Sequence, residues 1–89
     1  MGARYDEVLT EVRQLLAGAA KKDEASITED TVLARDLDLD SLAVMDVLMA
    51  LEDKFDVSIP INHLPDIETV RDLTSTIERI VGERDAGAA

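Results

Sequence analysis

The residues best suited to chemistry lie in one short stretch, Asp36 to Leu42, where an acidic loop meets the start of an apolar, helix-like segment. Within it Ser41 follows Asp40, and either residue can accept a hydrogen bond from the free amides of a first helical turn. Because those amides and the helix dipole favour an anion, a phosphate ester on Ser41 would be stabilised there. The spacing leaves two interpretations open: Ser41 is a modified serine, or it is an N-cap and nothing more.

The same stretch bears on metal binding, since Asp36, Asp38 and Asp40 match the first three ligand positions of an EF-hand calcium loop. The later positions of that loop fail. Ser41 stands where a glycine is needed for the turn, and Val47 stands where a bidentate glutamate is needed. The chain also has no cysteine for a thiolate site. We therefore predict no metal site.

A serine hydrolase is also disfavoured, because Ser41 lacks the Gly-x-Ser-x-Gly context of a nucleophile elbow. The single histidine, His63, lies in a short segment between Pro60 and Pro65, and nothing in the sequence places it beside a nucleophile. We expect a partly exposed histidine at the edge of the fold. No glycine-rich phosphate loop is present. The chain is not expected to be an enzyme.

Helical periodicity predicts the elements that must position these residues. Apolar residues at helical spacing predict a first helix over about residues 3–17 with Gly18 as its end. Ala19, Ala20 and the two lysines after them could instead extend the last turn or complement its dipole. Residues 23–40 keep no period, so we expect a long loop tacked to the core by its apolar side chains. The segment 42–55 is apolar around more than one stripe, which predicts a central helix with a broad apolar face.

Two local signals predict the structure of the chain after residue 55. Pro60 and Pro65 bracket a segment with room for no more than a turn or a very short helix. Thr69 and Asp72 resemble a capping box, with aspartate in place of glutamate, and predict the start of a final helix over about 69–81.

Gly82 predicts the end of the final helix, and residues 83–89 are expected to form a disordered tail. No alternating segment is long enough for a sheet. The predicted fold is an all-α four-helix bundle with three long helices, a very short third helix and a long first loop, in a single domain over residues 1–82.

Composition bounds the class of protein. With 20 Asp and Glu against 9 Lys and Arg, the chain has a formal net charge of −11 and a sequence pI near 4.2. These values disfavour nucleic acid and anionic membrane surfaces as partners, and they favour a basic protein partner. No apolar run approaches the ~20 residues of a membrane span, and no secretory leader is evident, so we expect a cytoplasmic protein. We also expect it to be a monomer.

Three stretches carry a resemblance to a known family: Asp36 to Leu42, Met49 to Pro60, and Ile67 to Leu73. Their core is Asp-Ser-Leu ahead of an amphipathic helix that ends in Leu-Glu-x-x-Phe-x-x-x-Ile-Pro. In these residues the chain resembles the acyl carrier protein family, and the resemblance extends from about Ile27 to Ile80.

The resemblance implies a carrier and not a catalyst. It implies that a phosphopantetheinyl transferase adds phosphopantetheine from coenzyme A to Ser41, which Asp40 and Leu42 flank. The prosthetic thiol would hold acyl intermediates as thioesters for enzymes of fatty-acid, lipid or polyketide synthesis. Basic patches on those enzymes would meet acidic recognition residues, which here are Asp36, Asp38, Asp46, Glu52 and Asp53.

The resemblance also implies a pocket for the acyl chain, at the positions Val44, Leu48, Leu51, Leu64, Ile67 and Val70. Leu64 is larger than the small residue often found at its position, so we expect a pocket that is narrowed or redirected at that end. Other departures are Asp38 in place of a glycine, Ala43 in place of an acid, and Lys54 among acids. These departures favour a specialised carrier. The alternative function is an unmodified acidic helical module that binds a basic partner.

Overall fold

The computed structural model describes the backbone of residues 2–87 and the side chains of residues 5–60, 62 and 65–83. Its α-helices are α1 (Gly2–Ala20), α2 (Leu33–Asp36), α3 (Ser41–Phe55) and α4 (Val70–Gly87). Two 3-10 segments lie between them, Glu24–Ser26 and Ile61–Asp66. Residues 2–87 contain no strand, only one isolated antiparallel bridge between Val32 and Thr69. The predicted all-α fold is confirmed, with three long helices, α1, α3 and α4, and the six-residue 3-10 segment Ile61–Asp66 where the sequence predicts a very short helix.

The predicted end of the final helix at Gly82 is wrong, and α1 ends within the extension past Gly18 that the sequence leaves open. α1 continues through Gly18 and ends at Ala20, and the next residue, Lys21, has a left-handed backbone with φ 57°. α4 continues through Gly82 to Gly87, so residues 83–87 are helical where the sequence predicts a disordered tail. A glycine inside a helix costs about 1 kcal/mol relative to alanine, and the helix formers around it outweigh that cost here. Residues 88 and 89 lie outside the described residues.

The loop after α1 has more regular structure than the sequence predicts. It contains a 3-10 segment and the one-turn helix α2. Ile27, Leu33 and Leu37 bury their side chains in the core, which confirms that apolar residues tack the loop down. A single helical turn is too short to produce a period in the sequence, so α2 could not be predicted.

The central helix of the fold is α1, because it packs against both α3 and α4. The prediction that residues 42–55 form the central helix is wrong. Two large apolar side chains of α3, Leu42 and Met49, are 73% and 62% exposed. Part of the broad apolar face of this helix is therefore in contact with solvent. The buried apolar core consists of Val8, Val12, Leu16, Ile27, Leu33, Leu37, Leu39, Val47, Leu48, Leu51, Ile59, Val70, Leu73, Ile77 and Val81.

A reciprocal cap fixes the start of α4, as the sequence predicts. The Asp72 amide donates to Thr69 Oγ1 at 3.1 Å, and the Thr69 amide donates to Asp72 Oδ2 at 3.1 Å. The Glu68 amide also donates to Asp72 Oδ2, at 3.0 Å. These hydrogen bonds, with the Glu68 amide as the largest cause, lower the pKa of Asp72. The cap holds the segment that leads into α4 in one position.

Asp38 has a left-handed backbone, with φ 54°, at the position where the resemblance leads us to expect a glycine. An L-residue in this conformation costs about 1–2 kcal/mol, although aspartate tolerates it better than most, and glycine avoids the cost. We therefore expect Asp38→Gly to raise the free energy of unfolding by about 0.5–1 kcal/mol, measured by urea denaturation.

The control for this prediction is Asp38→Ala, which removes the same charge but keeps a Cβ atom. It should not stabilise the protein, because the left-handed backbone remains strained for alanine. Equal stabilisation by glycine and alanine would show that charge repulsion, and not the backbone, is the cause.

Candidate functional site

Ser41 is the first residue of α3, and the residue before it caps the helix. Asp40 has an extended backbone, with φ −84° and ψ −179°, and its Oδ1 accepts a hydrogen bond from the Ala43 amide at 2.8 Å. Asp40 is therefore the N-cap, and the interpretation of Ser41 as the N-cap is wrong. The Ser41 side chain is exposed, and it forms no hydrogen bond with another described residue. Its hydroxyl is left available for chemistry.

The start of α3 favours an anion attached at this hydroxyl. The helix is 15 residues long, so its dipole places partial positive charge at the N-terminus. The Asp40 carboxylate accepts a hydrogen bond from the Ala43 amide. The amides of Ser41 and Leu42, in the first turn, have no acceptor inside the helix. A phosphate ester on Ser41 would lie beside these donors.

Two of the predicted recognition acids are engaged in the fold. Asp36 Oδ2 accepts a hydrogen bond from the Val32 amide at 2.8 Å, and Glu52 Oε2 accepts one from the Ile59 amide at 2.6 Å. The Val32 hydrogen bond, with a smaller contribution from Arg35, lowers the pKa of Asp36. Asp36 therefore holds the start of α2, and Glu52 holds the segment after α3. Substitution of either residue would disturb local structure as well as surface charge.

The other predicted recognition acids are Asp38, Asp46 and Asp53. All three are exposed, and none of their side chains forms a hydrogen bond or ion pair with another described residue. On α3, Leu42, Asp46, Met49 and Asp53 follow one another at spacings of four, three and four residues, so they lie along one helix face. We call these four residues the α3 stripe. It presents exposed apolar and acidic side chains in alternation beside Ser41.

A cavity of about 330 Å³ opens beside Ser41. Its lining residues are Val32, Leu33, Ala34, Ser41, Val44, Ile67 and Glu68. Most of this lining is aliphatic, so the cavity is suited to an apolar ligand. It lies between α3 on one side and two connecting segments, 32–34 and 67–68, on the other.

The six predicted pocket positions divide in the structure. Val44 and Ile67 are half-buried and line the cavity. Leu48, Leu51 and Val70 are buried in the core and do not line it. The Leu64 side chain lies outside the described side chains.

The sequence reasoning missed the wall formed by Val32, Leu33 and Ala34. The sequence shows that Val32 and Leu33 are apolar residues in a largely polar loop, but it contains no further indication that they line a cavity. Nothing local showed that the loop would turn toward Ser41.

The structure also bears on the other site hypotheses. Among the described residues, no group of three or more Asp, Glu or His side chains is arranged to hold a metal ion. Asp36 and Asp40, two of the three acids that resemble calcium ligands, each accept a backbone amide instead. The His63 side chain lies outside the described side chains. Across the helices that the structure describes, none has the length and apolar character that a membrane crossing requires.

Comparison with known proteins decides the family. A family profile described as "Phosphopantetheine attachment site" matches residues 10–77. The chain is 37% identical to an acyl carrier protein of Exiguobacterium sibiricum over 73 residues, which are 82% of this chain and 92% of the relative. The chain belongs to the acyl carrier protein family. An acyl carrier protein of Borreliella burgdorferi is 36% identical over 77 residues, 86% of this chain and 96% of the relative. A mitochondrial acyl carrier protein of Neurospora crassa is 37% identical over 84 residues, 93% of this chain and 60% of the relative.

Acyl carrier proteins are carriers and not catalysts, and they hold acyl groups on covalently attached phosphopantetheine. Proteins of this family interact with phosphopantetheinyl transferases and with synthase enzymes. The start of α3 fits the prosthetic group, because it combines an exposed hydroxyl, two free helix amides and an adjacent apolar cavity.

Proposed function

We propose that this protein carries acyl intermediates on phosphopantetheine attached to Ser41 and presents them to enzymes of fatty-acid, lipid or polyketide synthesis. The observation that carries the proposal is the exposed Ser41 hydroxyl at the N-terminus of α3, beside an apolar cavity. When bound, the prosthetic group supplies a thiol that holds the acyl group as a thioester. The chain supplies the acceptor hydroxyl, and the Ser41 and Leu42 amides stabilise the phosphate charge.

Intact mass spectrometry tests this proposal directly. Incubation with coenzyme A and a phosphopantetheinyl transferase should add one phosphopantetheine group, and an acyl-coenzyme A donor should add its acyl form. Sustained absence of any mass increase with an active transferase would favour the alternative, an unmodified acidic module that binds a basic partner.

The α3 stripe is the surface that we assign to partner enzymes. Its exposed Leu42 and Met49 can contact apolar residues, while Asp46 and Asp53 suit Arg and Lys side chains on a basic docking patch. The net charge of −11 would steer such partners toward the protein. The partners that fit are a phosphopantetheinyl transferase and acyl-transferring or synthase enzymes.

Charge reversal on the stripe should slow the transfer of the prosthetic group. We expect Asp46→Lys to lower the rate severalfold at low salt, because the exposed Asp46 carboxylate acts on the encounter with a basic enzyme. The difference from wild type should shrink as ionic strength rises, since salt screens exposed charges. Transfer assays across a salt series measure both effects. Equal rates for the two proteins at low salt would show that the stripe is not the docking surface.

Asp40 needs a different substitution because it also caps α3. Asparagine caps a helix about as well as aspartate, so Asp40→Asn isolates the loss of charge. Asp40→Lys removes the cap as well, and we expect it to lower the free energy of unfolding by about 1 kcal/mol. A slower transfer to Asp40→Asn with unchanged stability would assign the effect to the charge.

We also propose that the cavity beside Ser41 receives the acyl chain. At about 30 Å³ for each non-hydrogen atom, on the order of ten such atoms would fill it. The aliphatic side chains of Val44 and Ile67 support this assignment.

A single carrier domain that includes α4 through Gly87, a monomeric state and a cytoplasmic location complete the proposal. Repulsion between copies with a net charge of −11 supports the monomer. Light scattering after size-exclusion chromatography tests it.

A further inference from the structure

The outer wall of the cavity is built from two chain segments that are joined by backbone hydrogen bonds. The Leu33 amide donates to the Glu68 carbonyl at 2.9 Å, and the Val70 amide donates to the Thr31 carbonyl at 3.0 Å. Both segments contribute lining residues, 32–34 from the start of α2 and 67–68 from the segment that precedes α4. The two segments therefore move together as long as these backbone hydrogen bonds are intact, and the wall opens between them only if the hydrogen bonds break.

A side-chain cluster ties this wall together next to the backbone bonds. Arg71 Nη1 lies 2.6 Å from Asp30 Oδ1, and Arg71 Nε lies 3.8 Å from Glu29 Oε2. The Arg71 amide donates to the Glu29 carbonyl at 2.9 Å, and the Tyr5 hydroxyl donates to Glu29 Oε2. We call Tyr5, Glu29, Asp30 and Arg71 the clamp. It joins α1, the loop and α4 at one point.

The charges of the clamp agree with this geometry. The hydrogen bond to Asp30 is the largest cause that raises the pKa of Arg71. Burial, followed by the hydrogen bond to Glu29, raises the pKa of Tyr5. Both raised pKa values keep Arg71 charged and the Tyr5 hydroxyl protonated near neutral pH, which are the forms that make the contacts of the clamp.

The clamp is mostly solvent-exposed, with the Arg71 and Asp30 side chains 52% and 80% accessible. Ion pairs of this kind contribute little to the stability of a whole fold. Their effect is local, because they oppose separation of the loop from α4. That separation is what enlarges the cavity, since the opposite side is formed by α3, which packs on α1.

We propose that Arg71 is a positioning residue that, through Glu29 and Asp30, limits the length of acyl chain that the cavity accepts. The inference rests on the proposed storage of the acyl chain in this cavity. A chain of up to about ten non-hydrogen atoms fits the 330 Å³ available with the clamp closed. A longer chain must displace the 29–34 segment against the clamp or remain partly in solvent.

The test compares unloaded, butanoyl, octanoyl, dodecanoyl and hexadecanoyl forms of wild type and Arg71→Met by their melting temperatures. In wild type we expect the gain in Tm to rise from butanoyl to octanoyl and then to level off. In Arg71→Met we expect a slightly lower Tm without cargo and a gain that continues to rise through dodecanoyl by several degrees. Arg71→Lys keeps the charge but loses the planar two-point contact, so its profile should lie between the two.

A matched control is Lys54→Met, which breaks the ion pair between Lys54 and Glu11 at 3.5 Å. This pair joins α3 to α1, and neither residue lines the cavity beside Ser41. It should change the Tm of the unloaded protein by a similar amount and leave the chain-length profile unchanged.

Tyr5 provides a second readout, because it is the only tyrosine and the chain has no tryptophan. Its fluorescence responds to the carboxylate hydrogen-bonded to its hydroxyl. We expect the emission to change in unloaded Arg71→Met and in wild type loaded with hexadecanoyl, and to stay unchanged in Lys54→Met.

The outcomes separate the two proposals. A flat profile in every protein would overturn storage of the chain in the cavity, and the clamp inference with it. A rising profile that is identical in wild type and Arg71→Met would overturn the clamp inference alone. If Arg71→Met does not fold, Asp30→Ala removes the carboxylate that lies 2.6 Å from Arg71 Nη1 and must show the same extended profile.

Discussion

Ser41→Ala is expected to take up no phosphopantetheine under conditions in which wild type is fully modified. Among the described residues that line the cavity, Ser41 alone has a hydroxyl, and it stands at the N-terminus of the 15-residue helix α3. Alanine removes that hydroxyl and keeps the helix start, because the cap is made by Asp40 and Ala43. The fold should be nearly unaffected, with a change in unfolding free energy within about 0.5 kcal/mol. Intact mass and urea denaturation measure the two quantities.

A second serine controls for a general effect of the substitution. Ser58 is exposed in the segment after α3, away from any helix start. Ser58→Ala should be modified as completely as wild type. Modification of Ser41→Ala, or its loss in Ser58→Ala, would show that the attachment site is assigned to the wrong residue.

The parts of this fold that could be predicted are those in which cause and effect lie within a few residues. The capping box joins Thr69 and Asp72, three residues apart, and the cap of α3 joins Asp40 to Ala43 over the same distance. Helical periodicity is nearly as local, since it is recognised within a window of a few helical turns. These features appear in the sequence as short patterns. The capping box is as predicted, and the structure selects Asp40 from the two caps that the sequence allows for α3.

The cavity wall could not be predicted, because its contacts join distant parts of the chain. Arg71 and Asp30 are 41 positions apart, and no pattern in either segment indicates the other. Glu52 shows a related difficulty over seven positions: its charge suggests a surface contact, yet its carboxylate accepts the Ile59 amide. An acid can serve a partner or a backbone amide, and composition alone does not distinguish these uses.

The apolar surplus of residues 42–55 shows the same difficulty. The sequence does not distinguish an apolar residue in the core from an apolar residue on the surface. A broad apolar face is also compatible with burial on two sides of the helix. The structure leaves Leu42 and Met49 on the surface instead, where they can serve a partner. The central place in the core belongs to α1, which both other long helices contact.

The second large effect concerns Leu51, which the family resemblance assigns to the acyl pocket and which is fully buried in the core. We expect Leu51→Ala to lower the free energy of unfolding of the unloaded protein by about 2–5 kcal/mol, because it leaves a cavity among close-packed side chains. That loss is a large part of the stability of a domain this small. Val44 is half-buried beside the cavity, so Val44→Ala should cost the unloaded protein only about 1 kcal/mol.

For the stability gained on loading with an acyl chain, we expect the larger change in Val44→Ala and the smaller change in Leu51→Ala. The octanoyl chain contacts Val44 in the proposed pocket, so Val44→Ala should change the stability gained on loading, while Leu51→Ala should leave that gain close to the wild-type value. Urea denaturation of unloaded and octanoyl forms of all three proteins measures each difference. If Leu51→Ala abolishes the gain on loading while Val44→Ala does not, the acyl chain lies deeper than the cavity beside Ser41, between α3 and the core. The clamp would then lie on the wrong side of the chain to limit its length.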